Sequence, residues 1–278
     1  LRHFQGVNIV VLEVGMGGRH DATAAVDADI SVVTNVSLDH MEHLGGTVEA
    51  IAGEIAGAIT SGDVVTACIG AALDVVAQRA ARCNATLHLV TEDMWRQTGP
   101  RRFIVQSRRR YELETRLDGA YQGQNVALAV KTAEVLGVDA AGIVDGVAAA
   151  WLPGRLERFG NVMLDGAHNP AAMRALRTSL EQMQLEPACI VFGTMRDKDI
   201  PGIIRELPPG DVIATAAATG RAAAPASIAA MLRTEGRHCL AAENVATALQ
   251  KAREMAGQGV ILVTGSIRLV GNARELLY

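Results

Sequence analysis

No Gly-Lys-Ser or Gly-Lys-Thr occurs anywhere in these 278 residues, so the chain carries no glycine-rich loop ending in a phosphate-binding lysine. Lysine itself is scarce: Lys131, Lys198 and Lys251 are the only ones, and arginine supplies the rest of the positive charge. No basic block stands out and the net charge is −4, which argues against a nucleic-acid partner. The four cysteines, Cys68, Cys83, Cys189 and Cys239, are far apart and form no C-x-x-C pair. That spacing excludes a cysteine zinc site and suits free thiols in a reducing, cytoplasmic setting. No apolar run reaches the roughly 18 residues of a membrane span. A secretory leader pattern, a solenoid repeat and low-complexity tracts are also lacking. The first residue is Leu rather than Met, and an apolar run follows almost at once. An N-terminally truncated protein is the expectation.

What is present is a globular composition, 49% hydrophobic and 20% charged, long enough for two domains. Continuous apolar runs at residues 7–14 (VNIVVLEV), 30–36, 64–69 and 86–90 read as buried strands. Helical spacing at 47–60 and 70–82 separates them, and the alternation predicts a parallel sheet covered by helices. Residues 101–117 alternate apolar with polar, the pattern of half-exposed antiparallel strands. Helices are expected at 125–136 and 140–150. The Trp151-Leu152-Pro153-Gly154 stretch then stops the chain, and a domain boundary is placed between residues 151 and 152. The second half repeats the α/β rhythm. Strands are expected at 162–164, 189–192, 212–215 and 260–264, and helices at 169–183, 200–207, 225–233 and 245–256.

Three constellations carry chemistry. In the first, Glu13 leads into the turn Gly15-Met16-Gly17-Gly18 and then Arg19 and Asp21. Ligands of open α/β sheets sit beyond the carboxyl ends of strands, where Glu13 could ligate Mg²⁺. The alternative is a structural or dinucleotide turn, although His20 stands where the third glycine of a dinucleotide turn belongs. In the second, Ser37-Leu38-Asp39-His40 follows another strand end. His40 can meet a metal or a phosphate, or the stretch is simply a helix start capped by Ser37 or Asp39. In the third, Pro153-Gly154-Arg155-Leu156-Glu157 precedes Asp165-Gly166-Ala167-His168-Asn169. Asp165 could accept ribose hydroxyls and Arg155 could pair with phosphates, or the two form one structural ion pair.

Taken in order, LEVGMGGRHDAT, TNVSLDHMEHLGGTVEAIAGE and LPGRLERF…LDGAHNPAAM resemble the folylpolyglutamate synthase/dihydrofolate synthase family of the Mur ligase superfamily. Tyr121-Gln122-x-x-Asn125, FGTMRDKD and VTGSIRLVG agree with it, and the likeness covers nearly the whole chain. The resemblance implies a partial central ATPase domain over residues 1–151 and a Rossmann-like glutamate ligase domain over residues 152–278. It implies ATP and Mg²⁺ as cofactors and a chemistry in which ATP phosphorylates a folate or dihydropteroate carboxylate, which L-glutamate then attacks. It matches Glu13 and His40 to metal-site residues, and Arg19, Asp21 and Ala22 to the pteroate region. Asn125, Arg155 and Asp165 correspond to residues holding the ATP base, phosphate and ribose across a domain interface, and Asp165 and His168 to the catalytic signature. A monomer acting on small molecules, without nucleic acid or membrane, is implied.

Two departures stand out. The family's G-T-x-G-K-G-S loop is missing, and Ile55 occupies the place of a lysine that is carbamylated in the family and helps hold a second metal. An apolar side chain cannot ligate Mg²⁺. Alternatives therefore stay open: a Mur-type ligase for a cell-wall precursor, a non-catalytic paralogue that binds a pterin or nucleotide, and, with least support, a nicotinamide dehydrogenase.

Overall fold

Why strands and helices alternate here becomes visible in the computed structural model, which describes residues 2–278. The chain forms two compact units. One comprises the chain up to Thr91 with Leu128–Gly137, the other Glu92–Ala127 with Val138–Tyr278.

In the first unit, β1 (Ile30–Val33) is followed by α1 (Met41–Leu44), α2 (Val48–Ala56), β2 (Asp63–Thr66), α3 (Gly70–Arg82) and β3 (Thr86–Leu89). The strands form a parallel sheet in the order β1-β2-β3. Thr47 starts α2 by accepting the Ala50 amide, as a hydroxyl N-cap does. Val33 and Val64 from the sheet, Ala52 and Ala56 from α2, and Ala72, Val76 and Ala80 from α3 make the core. Small alanines at helical spacing let both helices lie close to the sheet.

The predicted strand at residues 7–14 is not formed. Those eight residues have no regular structure and every one is exposed, Val11 by 90%. A strand requires a neighbour for its backbone groups. Here β1 pairs only with β2, and no strand pairs with its other edge among the described residues. Apolar composition without a partner leaves an open run.

The chain continues with β4 (Trp95–Gly99), β5 (Arg102–Gln106), β6 (Arg110–Glu114), α4 (Gln122–Val135) and α5 (Ala140–Ala149). The β4-β5-β6 sheet is antiparallel. As its alternation predicts, Phe103, Val105, Tyr111 and Leu113 turn inward while the arginines face out.

Then follow β7 (Glu157–Phe159), β8 (Val162–Leu164), α6 (Pro170–Gln182), β9 (Pro187–Phe192), α7 (Ile200–Glu206), β10 (Asp211–Ala214), α8 (Pro225–Thr234), β11 (Cys239–Ala241), α9 (Val245–Ala256), β12 (Val260–Thr264) and α10 (Ile267–Leu277). The six-stranded sheet runs β11-β10-β9-β12-β8-β7, parallel except for β7. Both faces are covered. Ile190 and Phe192 of β9 meet α6, α7 and α8 on one side, while Cys189 and Val191 meet α9 and α10 on the other. Burial on both faces explains why β9 and β12 read as unbroken apolar runs. No helix among the described residues is long and apolar enough to cross a membrane.

Candidate functional site

In the first unit the glycine turn is organised by Asp21. Its Oδ2 accepts the amides of Gly15 at 3.1 Å and Met16 at 3.2 Å. Its Oδ1 accepts the Thr23 amide at 2.9 Å and the Thr23 hydroxyl at 2.7 Å. The Thr23 amide and hydroxyl, with help from the turn amides, hold the Asp21 carboxyl below its ordinary pKa. The carboxylate thus shapes the loop that precedes it, and Ala22 opens the short 3-10 turn that it caps.

Gly18 is buried against the end of α2: a Cβ there would collide with the Ile55 carbonyl oxygen and lie 3.0 Å from that of Glu54. Arg19 follows it onto the same helix. Its amide donates to the Glu54 carbonyl at 2.9 Å, and its guanidinium meets the Glu54 carboxylate at 3.3 Å and the Gly53 carbonyl at 3.2 Å. A cation at the negative end of α2 is favourably placed.

Glu13 is exposed in the open run before the turn. His40 is half-buried and stands at the start of α1 with a left-handed backbone, φ 50°, and no capping bond from its side chain. Neither Ser37 nor Asp39 occupies the cap position itself; Asp39 Oδ1 instead accepts the His40 amide at 2.8 Å. Among the described residues, no three His, Cys, Asp or Glu side chains converge as a metal nest would require. Ile55, half-buried, packs against the apolar core of this unit.

In the second unit, Asp165 lies just past the end of β8 and is only 3% exposed. Its Oδ1 accepts the Ala167 amide at 2.9 Å. Its Oδ2 accepts the Leu156 amide at 3.1 Å and the Tyr121 hydroxyl at 3.2 Å. Burial raises the Asp165 pKa, against the pull of those donors and of Arg155. Burial and the neighbouring carboxylate likewise push the Tyr121 phenol far up. The carboxylate therefore joins three segments: the approach to α4, the connector at residues 151–157, and the turn into α6.

Arg155 lies over that turn, since a Cβ on Gly166 would stand 2.7 Å from its guanidinium. His168 places Nδ1 2.9 Å from the Gly166 carbonyl. A carbonyl only accepts, so Nδ1 carries a proton in this contact. Asn169 caps α6 through the Ala172 amide. Asn125 is exposed on α4, its amide nitrogen bonded to Gln122 one turn earlier at 3.1 Å.

The structure therefore gathers Arg155, Asp165 and His168 in one place, with Tyr121 added. Nothing in the sequence marks Tyr121 as a partner of Asp165; it stands there only as one letter of a motif. Arg274 carries no local signal either, nor does its contact with Glu157: Glu157 accepts the Gly154 amide at 2.8 Å and Arg274 Nε at 3.0 Å.

Two protein families match this chain. The Mur ligase middle domain matches residues 2–62, and the Mur ligase glutamate ligase domain matches residues 154–267. A Haloferax volcanii protein named "Probable bifunctional folylpolyglutamate synthase/dihydropteroate synthase" is 35% identical over 97% of this chain and 34% of its own length. The Mycobacterium tuberculosis dihydrofolate synthase/folylpolyglutamate synthase is 31% identical over 97% of this chain and 64% of its own. The chain thus spans about a third to two thirds of the length of these relatives. The solved Mycobacterium tuberculosis folylpolyglutamate synthase complexed with ADP and AMPPCP superposes with a TM-score of 0.87 at 29% identity, over 95% of this chain and 67% of that one. The Escherichia coli FolC structure with DHPP and ADP gives a TM-score of 0.83 at 28% identity, over 95% and 65% of the two chains.

Proposed function

Because the chain belongs to the folylpolyglutamate synthase/dihydrofolate synthase family of Mur ligases, we propose that it serves an ATP-dependent ligase that joins L-glutamate to a folate-type carboxylate through an acyl phosphate. The observation that carries this reading is the fold likeness over nearly the whole chain to a synthase solved with ADP and AMPPCP, combined with Arg155, Asp165 and His168 gathered at one strand end.

We place the boundary between the ATPase and glutamate ligase portions at residues 151/152, just before the second family match begins at residue 154. Within that reading Arg155 meets nucleotide phosphate, as a guanidinium fork suits phosphate oxygens. Asn125 is assigned to the base, and Arg19, Asp21 and Ala22 to the pteroate side. Asp165 and His168 are assigned to the reacting end, with Asp165 acting mainly by holding the connector, since its oxygens are already committed. The substrates are small molecules, and the acting form is a monomer in the cytoplasm.

Mg²⁺ suits part of the site. Glu13 offers an accessible carboxylate, and Mg²⁺ is commonly held by one or two carboxylates, phosphate oxygens and water; His40 is assigned to the same ion. Such an ion would neutralise charge on the transferred phosphoryl group. A second ion has no counterpart at Ile55, whose hydrocarbon packs into the core.

The test is ATP-dependent incorporation of labelled L-glutamate into tetrahydrofolate or dihydropteroate by the natural polypeptide carrying these residues. Incorporation is expected, and Arg155→Ala should lower kcat/KM for ATP about 100-fold, the scale of a lost charge-assisted phosphate contact. No incorporation with either carboxylate would overturn the reading.

A second reading, a non-catalytic nucleotide- or pterin-binding paralogue, is favoured by Ile55 and by the missing Gly-Lys-Ser/Thr. Ile55→Lys separates the two. If the protein is a working ligase, turnover stays within about threefold, because a lysine stem can cover the same apolar surface with its head in water. A rise of about tenfold or more would support the paralogue.

A further inference from the structure

The connector that presents Arg155 adopts a conformation that its own sequence does not favour. Gly154 has φ +68° and Leu156 has φ +49°. A left-handed leucine costs on the order of 1–2 kcal/mol, so something must hold it. From the inside, Asp165 accepts the Leu156 amide, and the Gly166 amide donates to the Gly154 carbonyl at 2.9 Å.

From the outside, the holding comes from α10. Its residues Ile267, Val270 and Arg274 are spaced i, i+3, i+7 and share one helix face. Each meets the connector or the turn behind it. A Cβ on Gly166 would lie 3.2 Å from Ile267, and a Cβ on Gly154 2.7 Å from Val270. Arg274 Nε donates to both Glu157 oxygens at 3.0 and 3.1 Å.

The Glu157 side chain is only 9% exposed, and it passes the hold on by accepting the Gly154 amide at 2.8 Å. The Arg274 guanidinium also lies 5.7 Å from the Trp151 ring and 4.6 Å from the Tyr278 ring, and donates to the Tyr278 hydroxyl at 2.7 Å. Phe159 meets Tyr278 edge-on at 5.2 Å. One arginine thus engages both ends of the connector: Trp151 at its start and Glu157 at its finish. A planar guanidinium can stack and fork at once, which an ammonium cannot.

We propose that Arg274 is a positioning residue: through Glu157 and Gly154 it holds the 151–157 connector in the one conformation that aims Arg155 at nucleotide phosphate. The last part rests on the nucleotide reading above, and the experiment keeps the two apart.

Amide hydrogen exchange is measured on the full 278-residue chain and on Arg274→Met and Glu157→Gln, with ADP affinity measured by calorimetry on the natural polypeptide carrying these residues and the same substitutions. Both variants should speed exchange at Gly154 and Leu156 by about tenfold or more, with β9 and β12 amides unchanged. Arg274→Met should weaken ADP binding about tenfold, and Arg274→Lys should recover only part of it, because it restores charge without the planar contact. Trp151 emission should shift in Arg274→Met, reporting loss of the guanidinium above its ring.

Unchanged exchange at Gly154 and Leu156 would overturn the clamp. Faster exchange with unchanged ADP affinity would overturn its link to Arg155. A natural polypeptide with wild-type residues that binds no ADP would count against the nucleotide reading and leave the clamp to be decided by the amide rates. Should Arg274→Met fail to fold, the nearly isosteric Glu157→Gln decides the same point.

Discussion

Replacing Asp165 with alanine lowers the stability of the second unit by about 4 kcal/mol, because three buried donors lose their acceptor at once. Those donors are the Leu156 and Ala167 amides and the Tyr121 hydroxyl. Urea titration followed by far-ultraviolet circular dichroism would measure the loss. Tyr121→Phe, which removes one donor and leaves the acceptor with two partners, should cost only about 1 kcal/mol. A loss for Asp165→Ala no larger than that would show that the carboxylate does not hold the connector. The gap also depends on pH. Burial raises the folded-state pKa of Asp165 above its ordinary 3.8. The stability that this shift contributes is therefore complete below 3.8 and is lost as pH climbs through the folded pKa. The difference between wild type and Asp165→Ala should be wider at acid pH than at alkaline pH.

Gly18→Ala is expected to destabilise the first unit by about 3 kcal/mol, at the upper end of overpacking costs. The new methyl group would press on the carbonyls of Ile55 and Glu54. These are backbone atoms at the end of α2 and cannot rotate away, so the helix end must move. The adjacent bond from the Arg19 amide to the Glu54 carbonyl would go with it. Gly53→Ala is the control. Gly53 lies inside α2 with open space around its Cα, so alanine there should stabilise by about 0.5–1 kcal/mol. Thermal unfolding of both variants checks the pair, and equal effects would mean that the glycine turn is not seated on the helix.

Much of this architecture could be read from periodicity. The doubly covered strands β9 and β12 appear as unbroken apolar runs, and β5 and β6 as alternation, since each pattern records how many faces a strand buries. Shorter or more polar elements escaped. β4 reads Trp-Arg-Gln-Thr-Gly and β11 has three residues, too little apolar pattern to register. α10 contains Gly271 and is separated from β12 by only two residues, where a strand seemed simply to end. The run at residues 7–14 failed in the opposite sense. Its composition favours a strand, but pairing is a property of neighbours and not of the run itself.

The site divides along the same line. Glu13, Arg19, His40, Arg155, Asp165 and His168 lie in short motifs that can be recognised locally. Their partners do not. Tyr121 reaches Asp165 across 44 residues and Arg274 reaches Glu157 across 117, and no local spacing encodes a contact between such distant polar groups.

The bare aliphatic stretch near the amino terminus has a practical consequence. Val7, Ile9, Val10, Val11, Leu12 and Val14 are all open to water, with Glu13 the single charge among residues 7–14 and neither proline nor lysine to guard it. Sequences of this kind recruit one another edge to edge and stack into cross-β ribbons. A glutamate placed at Val11, the most exposed of them, would act as a gatekeeper against such pairing.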